Sequence, residues 1–383
     1  MKVIIVSGIY PNIVTKPGGV RPYILNLISA SIESGIEITL IGISNKKNIA
    51  SNYPFTFIPI VSGLKVSCYG FIFNLFLKAH TLSIPSYSII HTQRPDSTLP
   101  FVLFYKKNPK ICTLHGLVYK GFFLKKTIFI SHIYQLIEKF VLKRVDKIIA
   151  VNEETKENYL EKYPWLKDKM IVIPVGIDTE LFKPMDKHKM QEKYGFKKNE
   201  KIIIYVGRLE KEKGLGFLLN SFKEVKKEIT DCKLVLVGDG REKKNLENLA
   251  KDLELKEVIF MDSLEHDKIP EIMNCADVFA LSSLYESGPL VVQEALACGI
   301  PVVTTNVGRV QEFIKSDAIG RIVERNEKDF ARAIIEIFKM DQEKTIKACR
   351  QVAMDFSFEK TAKKIIEVYK NLLVNKNAIF EKE

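Results

Sequence analysis

Short apolar, β-branched runs recur along this chain, separated by stretches of helical character. "KVIIVSG", "IEITLIGIS", "YSIIHT", "PKICTLHG", "DKIIAVN" and "MIVIPVG" follow one another through the first half. Runs that are apolar throughout, not alternately, suit strands covered on both faces, and helical crossovers between them give a parallel α/β sheet. The pattern then restarts. After "DTELFKP" and a Lys-rich connector over 187–201 come "KIIIYVGRL", "CKLVLVGDG", "EVIFMDS", "DVFALSS" and "PVVTTN". A chain of 383 residues exceeds the usual span of one domain, so two doubly wound, Rossmann-like domains in tandem are expected, joined near 176–186. The expected bounds are 1–178, 179–357 and a closing helix over 358–383. That tail places Phe358, Ala362, Ile365, Ile366 and Tyr369 on one face.

Hydrophobic residues make up 46% of the chain and charged ones 27%, ordinary for a soluble globular protein and an argument against disorder. The six cysteines (68, 112, 232, 275, 298 and 349) form no CxxC pair and mostly sit in apolar runs, as reduced core residues of a cytoplasmic protein do. No metal-ligand cluster is visible. "MKVIIVSGIYPN" reads as a first buried strand and not as a signal peptide, and "CYGFIFNLFLKA" is too short to span a membrane. The net charge of +12 is uneven. Residues 1–180 carry 22 Lys and Arg against 12 Asp and Glu, while 181–383 carry 36 against 34. From Ile38 to Ile137 the only acidic residue is Asp96, among eleven basic ones. Such a surface attracts phosphates, anionic lipid head groups or nucleic acid.

Polar residues at predicted strand ends are the candidates for chemistry, because open α/β sheets bind ligands beyond the carboxyl ends of their strands. In "VGRLEKEKGL" the strand ends at Gly207, and Arg208 and Lys213 emerge there; an Arg fork and a Lys charge suit a diphosphate. Gly18 and Gly19 lie between the first strand and first helix, where backbone can approach an anion, yet the G-x-G-x-x-G pattern of dinucleotide binders is missing. His115 in "TLHG" stands at another strand end, and His91 in "IIHTQRPD" sits similarly with less around it. "DVFALSSLYESGPLVVQEALACG" reads as strand, loop and helix, with Pro289 at the first helical position. Glu286 then stands in the loop and Glu294 within the helix, where a carboxylate can take two hydroxyls of a diol. The helix start between them is itself an anion site. A helix over 128–145 has Phe129, Ile133, Leu136, Ile137, Phe140 and Val141 on one face, which is assigned to the core.

Together these residues resemble the retaining nucleotide-sugar glycosyltransferases of family 4 (group 1), whose GT-B fold pairs two Rossmann-like domains across a central cleft. The E-x7-E motif, Glu286 to Glu294, is the most specific element, and "GRLEKEKG", "LVLVGDGREKKNLENLA", "IPVGIDTELFKP" and the early "GGV" match in order. The resemblance makes the first domain acceptor-binding and the second nucleotide-sugar-binding, with the tail helix crossing back to the first. It implies that Arg208 and Lys213 hold the donor diphosphate and that Gly18 and Gly19 complete the phosphate cradle. It gives Glu286 and His115 to the donor sugar and Glu294 to the ribose, with Ser287, Gly288 and Leu290 also at the donor. No metal or other cofactor is implied. Val175 to Asp178, Asp262, Ser282-Ser283 and Arg309 depart from the family's usual residues, and Asp262 leaves the nucleotide base open.

The acceptor is expected to be lipid-linked or a saccharide, in cell-surface glycan or glycolipid synthesis. The basic first domain, with Lys120, Lys125 and Lys126 in "YKGFFLKKTIF", suggests peripheral contact with an anionic membrane on its cytoplasmic face. Two alternatives stand beside this. A nucleotide-sugar epimerase of the same fold would use the diphosphate site without an acceptor, and a basic nucleic-acid or membrane binder would leave the E-x7-E region unexplained.

Overall fold

The computed structural model describes residues 1–9, 11, 20–44, 53–63, 66–116, 128–198, 200–286 and 288–380, with the side chains of 128–130 and 375–380 excepted. The chain divides into one compact unit formed by Met1–Gly176 with Phe358–Glu383 and a second formed by Ile177–Ser357.

The first unit holds a seven-stranded, all-parallel sheet: β1 (Lys2–Val6), β2 (Glu37–Ser44), β3 (Thr56–Ser62), β4 (Ile89–Thr92), β5 (Lys110–Leu114), β6 (Lys147–Ala150) and β7 (Met170–Val172). Their spatial order is β3-β2-β1-β4-β5-β6-β7. Alternation along β1 shows why its run is wholly apolar. Val3 and Ile5 pack with Tyr23, Ile24 and Leu27 of the helix Val20–Glu33, whereas Ile4 and Val6 face Phe71, Leu75 and Phe101 on the opposite side. The helix Phe358–Phe380 belongs to this unit and buries Phe358, Ala362, Ile365, Ile366 and Tyr369 in the first of those layers. β3 has no counterpart among the sequence-predicted strands. It carries Pro59 and lies at the sheet edge, where a residue without an N–H costs no ladder bond.

The second unit holds β8 (Lys201–Val206), β9 (Cys232–Val237), β10 (Val258–Met261), β11 (Val278–Leu281), β12 (Val302–Thr305) and β13 (Gly320–Val323), all parallel in the order β10-β9-β8-β11-β12-β13. The short edge strand β13 was also unmarked in the sequence. In both units the order reverses at the first strand, so β8 and β11 become neighbours (Val278 opposite Ile203, Phe279 opposite Ile204) although some seventy residues separate them. This switch point opens a crevice at the carboxyl ends of the two strands.

The helix Ile128–Arg144 corrects one expectation. Ile133 is 44% exposed and Leu136 70%, while Tyr134, Val141, Leu142 and Val145 are buried. The inward face includes Glu138, fully buried and satisfied by Lys162 at 3.0 Å, Tyr159 Oη at 2.9 Å and Tyr163 Oη at 3.2 Å. A partnered carboxylate can occupy an interior position, so the inward face keeps Ile137, Phe140 and Val141 of the expected stripe against the core and leaves Ile133 and Leu136 outside it. Of the cysteines, five are buried and Cys68 is exposed. Among the described residues no helix is long and apolar enough to cross a membrane.

Candidate active site

The switch point brings two loops of the second unit side by side, and there Lys213 and Glu286 meet. The loop after β8 contains Arg208 and runs through a short 3-10 turn, Lys211–Lys213, into the helix Leu215–Glu228. The loop after β11 contains Ser282, Ser283 and Glu286 and leads into the helix Leu290–Ala297. Four hydrogen bonds fasten this second loop. Leu284 N–H donates to Glu212 O (2.8 Å), Ser282 Oγ to Lys213 O (3.0 Å), Arg325 Nη1 to Ser282 O (2.7 Å) and Thr305 Oγ1 to Ser283 O (3.1 Å).

Two glycines make the approach possible. Gly214 has φ +62° and a Cβ there would lie 2.3 Å from Ser282 O; Gly308 has φ +53° and its Cβ would lie 2.2 Å from Glu286 O. Both positions need left-handed backbone and the absence of a side chain.

Within this frame Lys213 Nζ donates to Glu286 Oε1 at 2.6 Å, and Ser283 Oγ donates to the same oxygen at 2.7 Å. Both charged side chains are largely buried, at 16% and 13% exposure. Lys213 retains two further N–H donors and Glu286 retains Oε2. Arg208 is different: its guanidinium is 66% exposed and bonds Glu212 at 3.1 Å, a solvent-screened pair that a bound anion can replace at small cost. Tyr205, beneath the loop, donates to Arg208 O at 3.0 Å, and burial, then the Glu286 charge, push its phenol pKa up.

Glu294 lies in the second turn of its helix and is 16% exposed. Its Oε1 stands 3.4 Å from His266 Nε2. That hydrogen bond, outweighing burial, raises the His266 pKa above 6.5. The His266 ring also packs edge-on against Phe182, centroids 5.2 Å apart. Gly288 and Leu290 flank the helix start. Pro289 stands one position earlier than expected: it is the residue before the helix, in extended conformation, and Leu290 is the first helical residue. Pro289 itself supplies no side-chain cap to the N-terminal peptide N–H groups. Arg309 turns onto Glu312 of its own short helix. Sequence reasoning missed His266, Arg325 and Thr305, which reach the site from separate elements.

In the first unit His115 follows β5 directly. Its Nε2–H donates to Gln93 Oε1 at 2.9 Å, which leaves Nδ1 as an acceptor, and Tyr23 packs edge-on against the ring at 5.4 Å. Burial lowers its pKa to about 4, so the ring is neutral at physiological pH. Gln93 Nε2 is buried without a partner. His91 lies inside β4, fully buried, between Tyr369 Oη (2.6 Å) and Thr113 Oγ1 (2.7 Å). It is a structural residue that ties the C-terminal helix to the sheet. Gly18, Gly19, Ser287, Lys120, Lys125 and Lys126 lie outside the described residues.

Comparison with known proteins bears on the fold and the family. The profile for "Glycosyl transferases group 1" matches residues 186–353 and that for "Glycosyltransferase Family 4" matches 17–181. A Bacillus subtilis protein named as a glycosyltransferase, YtcC, is 31% identical over 325 residues, 79% of this chain and 77% of that one. The Escherichia coli UDP-Gal:alpha-D-GlcNAc-diphosphoundecaprenol alpha-1,3-galactosyltransferase is 29% identical over 299 residues, 76% of this chain and 77% of that one. Among solved structures, sucrose-phosphate synthase from Thermosynechococcus elongatus superimposes with a TM-score of 0.74 at 22% identity, covering 98% of this chain and 99% of that one. HepE of Anabaena in complex with UDP gives 0.74 at 19% identity over 97% and 100%. These likenesses fix the fold as GT-B, and with the profile matches and the relatives they establish that the chain belongs to the group 1, family 4 glycosyltransferases.

Proposed function

We propose that this glycosyltransferase moves a sugar from a nucleotide-diphosphate-sugar donor to a lipid-linked or saccharide acceptor with retention of anomeric configuration. The observation that carries the reading is the buried Lys213–Glu286 pair, which joins the loop after β8, with Arg208 in it, to the loop that leads into the helix bearing Glu294. Two neighbouring chains with this fold point the same way by their ligands, HepE with UDP and HepE with UDP-glucose, and the Escherichia coli relative acts on a diphosphoundecaprenol-linked sugar.

In this reading Arg208 leaves Glu212 for the diphosphate, and Lys213 offers it the N–H groups that Glu286 does not use. Both charges, with the helix N-terminus at Leu290, stabilise the nucleotide diphosphate as it departs. Glu294 receives the ribose hydroxyls, with Gly288 and Leu290 lining the donor. Glu286, steadied by Lys213 and Ser283, orients the donor sugar as a positioning carboxylate, and attack proceeds on the same face as departure. Neutral His115 and the unpaired amide of Gln93 supply acceptor and donor groups for sugar hydroxyls. The leaving charge is met by Arg208 and Lys213, so the scheme calls for no metal. Gly18, Gly19 and Ser287 are assigned to the phosphate cradle on sequence alone. We assign the protein to the cytoplasmic face of a membrane, in cell-surface glycan or glycolipid synthesis.

The test is a screen of UDP-, GDP- and ADP-sugars for binding and hydrolysis. Binding of one class is expected, and Arg208→Ala or Lys213→Ala is expected to lower turnover by about 10²- to 10³-fold, the usual cost of removing one transition-state donor. Failure to bind any sugar nucleotide overturns the reading. Release of an altered sugar nucleotide without acceptor assigns an epimerase instead.

A further inference from the structure

The helix Cys68–Lys78, "CYGFIFNLFLK", has two apolar faces, one turned inward and one largely exposed. Phe71 and Leu75 are buried against Ile60 and Phe101. The other stripe, Tyr69, Phe73, Phe76 and Leu77, falls at i, i+4, i+7 and i+8 and is exposed by 57%, 65%, 39% and 52%. The patch extends onto a second helix, Pro95–Phe104: the rings of Phe76 and Phe104 lie 6.3 Å apart, and Phe104 is 46% exposed. A contiguous surface of this kind is uncommon on a soluble chain unless something covers it.

The charge around it identifies the occupant. Lys106 and Lys107 follow Phe104 and are exposed. Asp96, the single acidic residue between Ile38 and Ile137, is buried and engaged by both Arg94 Nε at 2.9 Å and Arg94 Nη2 at 2.6 Å, so it offers no negative charge to the surface. A second copy of this chain would bring like charges together. We propose that this face, Tyr69, Phe73, Phe76, Leu77 and Phe104 with Lys106 and Lys107, is the surface by which the protein lies on an anionic lipid bilayer. The aromatic rings enter the head-group boundary and the lysines meet anionic head groups. The inference rests on the proposed lipid-linked acceptor for its biological sense but not for its test.

That test is flotation with phosphatidylcholine vesicles, with and without phosphatidylglycerol, in the absence of any sugar nucleotide. The wild-type chain is expected to float with the anionic vesicles at low salt. Lys106→Glu/Lys107→Glu is expected to weaken partitioning by on the order of tenfold or more. Phe73→Ser/Phe76→Ser is expected to abolish it while far-UV dichroism, thermal unfolding and donor hydrolysis stay as in the wild type. No flotation of the wild type, or undiminished flotation of Phe73→Ser/Phe76→Ser, overturns the proposal, and equal binding to neutral vesicles overturns its anionic component. A concentration-dependent dimer in light scattering that Phe73→Ser/Phe76→Ser removes assigns the face to self-association instead and overturns it. Donor binding is measured separately, so a failure here leaves the glycosyltransfer reading to stand or fall on its own screen.

Discussion

Glu294 stands within 3.4 Å of His266, so the carboxylate proposed for the ribose shares its site with a titrating cation. The groups that raise the His266 pKa are Glu294 first, then Asp178 and Asp267, against a partial burial that opposes them. A folded-state pKa above 6.5 means that the pair stabilises the fold fully below pH 6.5 and loses that contribution as pH rises through the raised value. His266 is 45% exposed, which screens the effect. In an NMR titration the His266 ring is expected to show a midpoint above 6.5 that falls toward 6.5 in Glu294→Gln; an unchanged midpoint would show that the pair does not form. Glu294 was legible in the sequence because an acid at that spacing inside an apolar helix is unusual. His266 was not, since nothing in "LEHDK" announces that this turn folds over another helix.

At the scale of elements, the loop carrying Glu286 has its position set by what lies under it. Gly308→Ala forces a Cβ into Glu286 O and a side chain into left-handed backbone, at a cost of about 1 to 3 kcal/mol. A lower urea midpoint and a weaker donor affinity are expected together; stability lost with affinity intact would separate Gly308 from the site. In the first unit, Tyr369→Phe removes the hydroxyl that His91 bonds at 2.6 Å and leaves a buried ring nitrogen unpaired. The expected loss is about 1 to 3 kcal/mol, read by urea denaturation, and a change within error would refute the tie. Element identity was read well where runs were long and β-branched. It failed for β3, broken by Pro59, and for the short β13. On the helix Ile128–Arg144 the expected face held for Ile137, Phe140 and Val141 and failed for Ile133 and Leu136, because the inward face turns to take the partnered Glu138.

Across the whole molecule the histidines set opposing pH responses in the two units. Burial depresses His91 to about 3 and His115 to about 4, so each stays neutral in the folded first unit while the unfolded chain takes up protons below pH 6.5. Stability of that unit is therefore expected to fall as pH drops from 6.5 toward 4, the reverse of the His266 contribution in the second. Hydrogen exchange at the first-unit strands should accelerate through this window, and His115→Asn should flatten the slope. Exchange that is independent of pH-linked stability there would contradict the assignment.

Two parallel α/β units are legible in the residues alone, because strands buried on both faces must be apolar throughout and helical crossovers must separate them. The residues also show which charged groups follow strand ends, Arg208, Lys213 and Glu286 among them, with Glu294 in the helix beyond. Which ends are neighbours depends on how the strands assemble in space. Hydrophobic pattern reports that a strand is covered, and it carries no information on which strand lies beside it. The reversal of order that sets β11 against β8 brings Lys213 to 2.6 Å from Glu286 across 73 positions of chain, and it draws Arg325, Thr305 and Gly308 beneath the same loop.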